Sequence, residues 1–325
     1  MKERDGRVPA RALVTGAAGF IGSHLAEALV RGGWTVTGID SFTDYYDPLR
    51  KEKNVASLLR SDRFRLFRED LLDADTDRLL EGIDVVFHQA AQAGVRASWG
   101  TEFDRYVTAN ILATQKLLEA ARRFPLRRFV FASSSSVYGN AEELPVREDS
   151  VKRPHSPYGV TKLAAEHLGH LYRMNHGVPF TALRYFTVIG PRQRPDMALF
   201  RLLRAAYGGD PLPLYGGGGQ TRDFTYVSDI VDANLAAAER EAPRGAYNLG
   251  GGERVSMNRL IEIVAQTTGR EVPVLRSDWQ KGDVRDTWAD CSAAREDLGF
   301  VPRVSLQEGV EKTAAWYREG PGAGG

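Results

Sequence analysis

The stretch that decides the fold is Ala12-Leu13-Val14-Thr15-Gly16-Ala17-Ala18-Gly19-Phe20-Ile21-Gly22. Its first four residues read as a short apolar strand, and three glycines follow at intervals of three residues. A helical pattern comes next, with Leu25 and Leu29 on one stripe and Gly32-Gly33 at its end. The order of strand, glycine loop and helix predicts a unit in which a parallel strand follows the helix.

The glycine loop and the next strand are suited to binding a dinucleotide. Glycines permit a tight turn and let backbone N–H groups approach a pyrophosphate at the helix N-terminus. The second strand, Thr35–Ile39, ends at Asp40, about twenty residues beyond the loop, where a carboxylate can hydrogen-bond ribose hydroxyls. Ser41 and Phe42 follow, with no arginine to pair a 2′-phosphate, so the pattern favours NAD over NADP.

The composition excludes several classes of protein. The chain has 325 residues, a net charge of +1 and 26% charged residues, which indicates a soluble globular protein of about two domains. The balanced charge predicts neither a nucleic-acid nor a membrane partner, and we expect no metal. The single cysteine, Cys291, excludes an internal disulfide and fits a reducing compartment. Without a hydrophobic signal region or a membrane-length apolar run, we expect a cytoplasmic protein.

Strands continue to alternate with helical patterns, which predicts an α/β fold with a Rossmann-type, doubly wound parallel sheet. The strand Phe64–Phe67 leads to Asp70 and Leu71, candidate contacts to the adenine end of the cofactor. A later strand runs toward Ala90 and Ala91, whose small side chains would let the cofactor lie against the strand end. Ligands of such sheets bind beyond the carboxyl ends of the strands.

The texture of the chain changes after Thr187, where prolines and glycines become frequent. We therefore expect an NAD-binding domain at residues 1–186. A smaller, partly interwoven α/β lobe for the substrate would occupy residues 187–325, with about 222–250 returning to the first domain. The glycines at 216–219 favour a hairpin turn over a phosphate loop.

A second motif carries the chemistry. An apolar strand at 129–132 runs into four serines at 133–136, and Ser156-Pro157-Tyr158 precedes a helical pattern. If Tyr158 opens that helix, Lys162 lies one turn on and shares its face. A nearby ammonium favours the phenolate form of a tyrosine, and Ser134 can relay a proton or hold a substrate oxygen. Tyr-x-x-x-Lys is common by chance, but together with the glycine loop it indicates a device for moving an alcohol proton.

Together these residues carry a family resemblance over nearly the whole chain. Gly16-x-x-Gly19-x-x-Gly22, Asp40, Ser134, Tyr158-x-x-x-Lys162 and Arg222-Asp223-Phe224 resemble an extended short-chain dehydrogenase/reductase. Residues 133–139 and 184–186 are similar to signatures of the nucleotide-sugar 4-epimerases. Residues 40–48, 91–96, 186–188 and 194–198 are similar to the UDP-glucuronate 4-epimerase branch.

The resemblance implies roles for individual residues. Lys162 would bond the nicotinamide ribose and lower the pKa of Tyr158, while Tyr185 and Phe186 would lie by the nicotinamide. The full set of expected NAD contacts is Gly16, Gly19, Phe20, Ile21, Gly22, Asp40, Asp70, Leu71, Ala90, Ala91, Asn110, Tyr158, Lys162, Tyr185 and Phe186. The expected catalytic residues are Ser134, Tyr158 and Lys162.

The resemblance also implies a UDP-sugar site. Tyr215 would lie near the uracil, Arg222 by the diphosphate and Asp283 by the uridine ribose. The family's frequent arginine three residues before that aspartate is Gln280 here, and Arg285 is a candidate substitute. The expected substrate contacts are Ser134, Ser135, Ser136, Thr187, Arg194, Tyr215, Arg222 and Asp283.

The implied reaction is a redox-neutral cycle through a 4-keto sugar, with Tyr158 taking the 4-OH proton directly or through Ser134. Related 4,6-dehydratases and uronate decarboxylases carry carboxylates where this chain has Ser135 and Ser136. We hypothesise that the small hydroxyls, Thr187 and Arg194 grip the C6 carboxylate of a glucuronate and prevent loss of CO₂. The alternative for Arg194 is a surface or phosphate-binding arginine.

Several functions stay open at this point. The first is C4 epimerisation of UDP-glucuronate to UDP-galacturonate, and the second is the same reaction on UDP-glucose or UDP-N-acetylglucosamine. A net oxidoreductase and a non-catalytic NAD-binding protein are less favoured alternatives. Family members commonly dimerise through two helices, which predicts a homodimer through residues 103–122 and 158–176, with Leu163, Leu168 and Leu171 as candidate contacts.

Overall fold

The computed structural model describes residues 10–240, 242, 244–278 and 282–320. Its strands, in chain order, are β1 (Arg11–Thr15), β2 (Thr35–Ile39), β3 (Phe64–Phe67), β4 (Val85–His88), β5 (Arg128–Ser134), β6 (Phe180–Tyr185), β7 (Thr187–Ile189), β8 (Leu212–Tyr215), β9 (Thr221–Tyr226), β10 (Ala246–Leu249), β11 (Arg254–Ser256) and β12 (Val274–Ser277). The helices are α1 (Phe20–Arg31), α2 (Pro48–Val55), α3 (Thr76–Leu80), α4 (Phe103–Tyr106), α5 (Ala113–Ala121), α6 (Pro157–His176), α7 (Ala198–Gly208), α8 (Val227–Glu239), α9 (Met257–Thr268), α10 (Ser292–Leu298) and α11 (Leu306–Arg318).

A seven-stranded sheet in the order β10-β6-β5-β4-β1-β2-β3 forms the centre, and all its pairings are parallel. The chain runs outward from β1 to β3 and then returns to β4 on the other side of β1. That reversal is the switch point at which open α/β sheets bind ligands. The predicted α/β, doubly wound sheet is confirmed.

Helices cover both faces of this sheet, as its apolar strands require. Along β1, Ala12 and Val14 pack in the cluster that includes Leu25 of α1. Leu13 points the other way and packs with Leu117 of α5 and Ala165 of α6. Successive strand residues face opposite sides, so one short run of apolar residues anchors two helical layers.

Two smaller sheets follow in the second half of the chain. One has the order β11-β9-β7 and the other pairs β12 with β8. The predicted hairpin at 216–219 is wrong, because β8 and β9 on either side of it lie in different sheets. β10 joins the seven-stranded sheet while β9 does not, and the division into two domains stays a prediction. Among the described residues, we find no helix with the length and apolar character needed to cross a bilayer.

The helical segment that leads into α5 has an irregular beginning. Residues Val107–Leu112 form a π-helix, and the regular helix α5 begins only at Ala113. Asn110 lies in this wider turn and is buried. Its amide N–H groups bond Gln92 O (3.0 Å) and Thr161 Oγ1 (2.9 Å). Insertions of this kind recur at functional sites, and here one ties the loop after β4 to the helix that carries Tyr158.

Candidate active site

One cavity of about 970 Å³ lies at the carboxyl ends of β5 and β6, against the elements of the second half. All eight expected substrate contacts line it, although they are spread from position 134 to position 283. Five of the expected NAD contacts also line it: Phe20, Ile21, Tyr158, Tyr185 and Phe186. The structure therefore brings the two predicted sets of residues to one place, while their individual roles stay predictions.

The glycine loop forms a tight backbone cradle at the end of β1. Gly16 has φ +66°, and a Cβ there would come within 2.9 Å of the Cα of Ala90. A Cβ at Gly22 would overlap the carbonyl oxygen of Gly16, whereas one at Gly19 would lie 3.2 Å from the same oxygen. Such close backbone approach is what a pyrophosphate at a helix N-terminus requires, so these residues fit NAD.

Asp40 is held firmly at the end of β2. Its Oδ2 accepts from Ala18 N (3.1 Å), and its Oδ1 accepts from Phe42 N (2.9 Å) and Lys51 Nζ (3.0 Å). The carboxylate lies almost buried beside the glycine loop, where an adenosine ribose would be within reach. Lys51 was not predicted, and it supplies a buried countercharge behind the acid.

The remaining expected NAD contacts differ in setting. Asp70 is exposed and its carboxylate bonds Leu72 N (2.9 Å), whereas Leu71 packs in the core. Ala90 bonds Thr15 Oγ1 through its N–H (3.0 Å) and lies beside Gly16. Asn110 gives both N–H groups to the protein, so it holds its neighbours in place, and a direct contact with NAD stays a prediction.

Tyr158 and Lys162 lie as the helix pattern predicts. Ser156 caps α6 by accepting from Gly159 N (3.1 Å), so Tyr158 is in the first turn and Lys162 one turn further. Lys162 is buried and donates to Ala132 O (2.7 Å). Burial lowers the pKa of Lys162 to about 7, opposed by the nearby carboxylate of Glu166.

The electrostatics of Tyr158 differ from the expectation. Burial raises the pKa of Tyr158, while Arg194 and a hydrogen bond with Ser134 act to lower it. In the protein by itself, desolvation of the phenolate outweighs its favourable neighbours, and the lowering expected when NAD is bound stays a prediction. Lys162 sits near its own pKa at neutral pH, and the cation that acts most on Tyr158 is Arg194.

The serines form a small hydroxyl cluster beside Tyr158. Ser134 Oγ donates to Ser136 Oγ (3.1 Å) and accepts from Ser136 N (3.1 Å). Ser133 bonds Glu166, which in turn forms a buried ion pair with Arg184 (2.7 Å). All four serines line the cavity, and the hydroxyl of Ser133 is the one engaged by Glu166.

Arg194 is already engaged at the sugar end of the cavity. Its Nε and Nη2 donate to the two carboxylate oxygens of Asp196, each at 3.0 Å. Asp196 also accepts from the hydroxyl of Tyr45 (3.3 Å), which comes from the loop after β2. Tyr45 and Asp196 line the cavity, and neither was predicted individually although both lie in stretches that carry the resemblance.

A second arginine–carboxylate pair closes the other end. Arg96 donates to both oxygens of Asp283 (3.2 and 2.7 Å), and its guanidinium lies 4.3 Å from the ring centroid of Tyr215. Arg222 donates to the backbone oxygens of Thr221 (2.8 Å) and Arg285 (3.2 Å). Arg96 and Arg201 of α7 also line the cavity and were missed as individual contacts.

Arg285 does not take the place expected for it. Its side chain is 84% exposed and approaches Asp286 at 3.8 Å, and it is absent from the cavity lining. Its backbone oxygen holds Arg222 instead. Gln280 lies outside the described residues. No cluster of three or more histidine, cysteine, aspartate or glutamate side chains that could hold a metal occurs within the described ranges.

Comparison with known proteins decides the family. The model of the NAD dependent epimerase/dehydratase family matches residues 12–250. The chain belongs to this family. An uncharacterized UDP-glucose epimerase of Bacillus subtilis (strain 168), YtcB, is 46% identical to this epimerase over 306 residues, which are 94% of this chain and 96% of the relative. A UDP-glucuronate 4-epimerase of Thermodesulfobacterium geofontis (strain OPF15) is 38% identical over 314 residues, with the same coverage.

A solved structure supports the same assignment for the epimerase. The crystal structure of UDP-glucuronic acid 4-epimerase from Bacillus cereus, in complex with UDP-glucuronic acid and NAD, superposes with a TM-score of 0.92 at 44% identity. The match covers 95% of this chain and 99% of the other. The predictions of an extended short-chain dehydrogenase/reductase, of a nucleotide-sugar 4-epimerase and of NAD as cofactor are confirmed.

Proposed function

We propose that this NAD-dependent nucleotide-sugar 4-epimerase interconverts UDP-glucuronate and UDP-galacturonate. The observation that carries the proposal is that Arg194, Thr187 and the serines from 134 to 136 line the same cavity as Tyr158. A guanidinium and several hydroxyl donors suit a carboxylate at C6 of the sugar. The names of the relatives from Thermodesulfobacterium geofontis and Bacillus cereus support the same substrate.

The cofactor would be held by the glycine loop, by Asp40 at its adenosine ribose and by Lys162 at its nicotinamide ribose. Bound NAD supplies the acceptor and donor for the hydrogen at C4 of the sugar, so the reaction needs no other oxidant. Tyr185 lines this region of the cavity. Its hydroxyl bonds Gln89 and Asn234 (both 3.1 Å), so the orientation of the side chain is fixed.

Proton transfer falls to Tyr158 and Ser134. Tyr158 takes the 4-OH proton as phenolate and returns it as phenol, with the Ser134 hydroxyl as relay. Because burial holds the pKa of Tyr158 above its ordinary value, the phenolate needs positive charge nearby. Arg194 supplies part of it in the protein, and the nicotinamide of the bound cofactor adds more.

The site lacks groups for dehydration of the sugar and disfavours loss of its carboxylate. Ser135 and Ser136 have no carboxyl group and cannot serve as the acid or base of a dehydration. If Arg194 and the hydroxyls hold the C6 carboxylate in one orientation, its C–C bond stays out of alignment with the C4 carbonyl of the keto sugar. Loss of CO₂ is then disfavoured by geometry.

UDP-glucose is the second candidate, favoured by one observation. Arg194 already pairs with Asp196, and a neutral C6 hydroxyl need not compete for it. The name of the Bacillus subtilis relative fits this reading. UDP-N-acetylglucosamine is a further alternative that the same test covers.

Incubation of the purified protein with UDP-glucuronate, UDP-glucose and UDP-N-acetylglucosamine, with products identified by NMR, tests the proposal. We expect UDP-galacturonate as the main product and the highest kcat/KM on UDP-glucuronate. Arg194→Ala should then lower kcat/KM on the acidic sugar much more than on UDP-glucose. Equal losses on both sugars would remove the carboxylate role from Arg194.

We also propose a homodimer through α5 and α6. Val160, Leu171 and Met174 of α6 and Leu112 just before α5 are large apolar residues that stay about half exposed or more. Leu163 and Leu168, by contrast, pack against the protein's own core. Light scattering at working concentration should give the mass of two chains, and a clean monomer would contradict the proposal.

A further inference from the structure

The carboxylate of Asp196 is hydrogen-bonded to the guanidinium of Arg194, which is the group that the proposed function assigns to the carboxylate of the sugar. Asp196 is two residues beyond Arg194 and binds it through both oxygens, each at 3.0 Å. Both side chains line the cavity, with 22% of Arg194 and 38% of Asp196 exposed. An incoming sugar therefore meets an arginine whose charge is already paired.

Asp196 is also anchored from the opposite wall. The hydroxyl of Tyr45 donates to Asp196 Oδ2 (3.3 Å), and a Cβ at Gly94 would overlap that hydroxyl. The segment around Gly94 is itself held by Tyr106, whose hydroxyl bonds the carbonyls of Ala93 (2.9 Å) and Gly94 (2.8 Å). Asp196 is thus fixed against Arg194 by packing and hydrogen bonds.

We propose that Asp196 sets the preference between acidic and neutral sugars by competing with the sugar carboxylate for the guanidinium of Arg194. This inference rests on the proposed function. A C6 carboxylate must share or displace the bond to Asp196 and is repelled by it, whereas a C6 hydroxyl meets neither cost. Asp196 acts through Arg194 and is a positioning residue, since it need not touch the reacting atoms.

The pair also acts on the proton-transfer group. Tyr158 shares the cavity with Arg194 and Asp196, and its ring meets that of Tyr106 at 6.2 Å. Arg194 lowers the pKa of Tyr158 and Asp196 raises it, while Lys162 lies one turn further along α6. Weakening the charge of Asp196 should therefore change both sugar preference and the pH at which Tyr158 ionises.

The decisive variant is Asp196→Asn, which keeps the shape of the side chain and removes its charge. We expect the ratio of kcat/KM for UDP-glucuronate over UDP-glucose to rise by about tenfold, mainly through a lower KM for the acidic sugar. Asp196→Glu keeps the negative charge and should leave the ratio of kcat/KM for the two sugars close to that of the wild type. Asp44→Asn is the matched control, because it removes one charge from a residue beside Tyr45 that is 87% exposed and does not line the cavity. The control should leave the ratio unchanged.

Two further measurements separate competition from a structural effect. In an Arg194→Met background, Asp196→Asn should no longer change the ratio. With UDP-glucose as substrate, Asp196→Asn should move the acid limb of kcat/KM to lower pH, because Tyr158 loses a negative neighbour.

The outcomes are distinguishable from those of the proposed function. If the wild-type protein acts on neither sugar, the proposed function fails. If it epimerises both and Asp196→Asn leaves the ratio unchanged, or lowers it, Asp196 only supports Arg194 and the competition proposal is overturned.

Discussion

The two ends of the binding region are built in different ways. Around the glycine loop, the cofactor end comes from residues 12–40, in which Gly16 N bonds Ile39 O (2.8 Å) and Asp40 bonds Ala18 N (3.1 Å), while the other expected NAD contacts come from later segments. The sugar and nucleotide end is assembled from separate segments that include Tyr45, Arg96 and Asp283. Backbone contacts between near neighbours dominate the first end, and side-chain ion pairs between distant segments dominate the second.

This difference indicates where change is tolerated. A backbone cradle has no room for an added atom, because its atoms cannot rotate away. A partly exposed arginine–carboxylate pair contributes little to stability, and we propose that it influences which ligand charge is accepted. We therefore expect substitutions at the cofactor end to lower both the free energy of unfolding and the retention of NAD. Substitutions at the other end should change the kinetics with the substrate.

The largest effect is expected where the two ends meet, at Tyr158. Tyr158→Phe should lower kcat by about 10²–10⁴ while leaving bound NAD and the fold intact, because it removes only the proton-transferring hydroxyl. Product formation followed by NMR, with copurified NAD measured by absorbance, checks this. Turnover close to wild type would show that another group moves the proton.

The cofactor end provides a matched pair of glycines. Gly22→Ala should abolish NAD retention and lower the free energy of unfolding by about 1–3 kcal/mol, because its Cβ would overlap Gly16 O. Gly19→Ala, whose Cβ lies 3.2 Å from the same oxygen, should cost much less. Urea unfolding and the absorbance of copurified cofactor measure both. Equal tolerance at the two positions would contradict the tight cradle.

The burial of Lys162 makes the stability of the protein depend on pH. With a pKa of about 7 in the folded chain and 10.5 as its ordinary value, it is charged mainly in the unfolded state between these values. The unfolded chain then binds more protons, so the free energy of unfolding rises with pH by up to about 1.4 kcal/mol per unit in this window. Lys162→Met should lose this slope as well as most of the activity. If the free energies of unfolding of the two proteins changed with pH in parallel, the pKa of Lys162 would not be lowered in the folded chain.

The smallest effect on stability is expected at the nucleotide end. Arg96→Met breaks an ion pair with Asp283 in which the side chain of Arg96 is 43% exposed. The free energy of unfolding should therefore change by less than about 1 kcal/mol. The KM for the UDP-sugar should still change severalfold, because Arg96 covers Tyr215 and balances Asp283. A large loss of stability with an unchanged KM would reverse the comparison.

Prediction from sequence succeeded where the signal was local. The glycine loop, Asp40 and the start of α6 at Pro157 follow from spacing, turn chemistry and capping over short stretches. The hairpin at 216–219 failed because a glycine run fixes a turn and not the sheets of the strands beside it. The raised pKa of Tyr158 in the protein by itself was not predicted, because burial cannot be read from neighbouring residues.

The sequence by itself determined the Rossmann-type sheet, the choice of NAD and the Tyr158–Lys162 spacing, since each depends on residues within a few turns of one another. Only the tertiary structure decided that Tyr45 reaches Asp196, that Arg96 lies over Tyr215 and pairs with Asp283, and that Ser133 bonds Glu166. Tyr45 and Asp196 are 151 positions apart and Arg96 and Asp283 are 187 apart, so these contacts depend on how whole layers pack, and no local pattern encodes that packing.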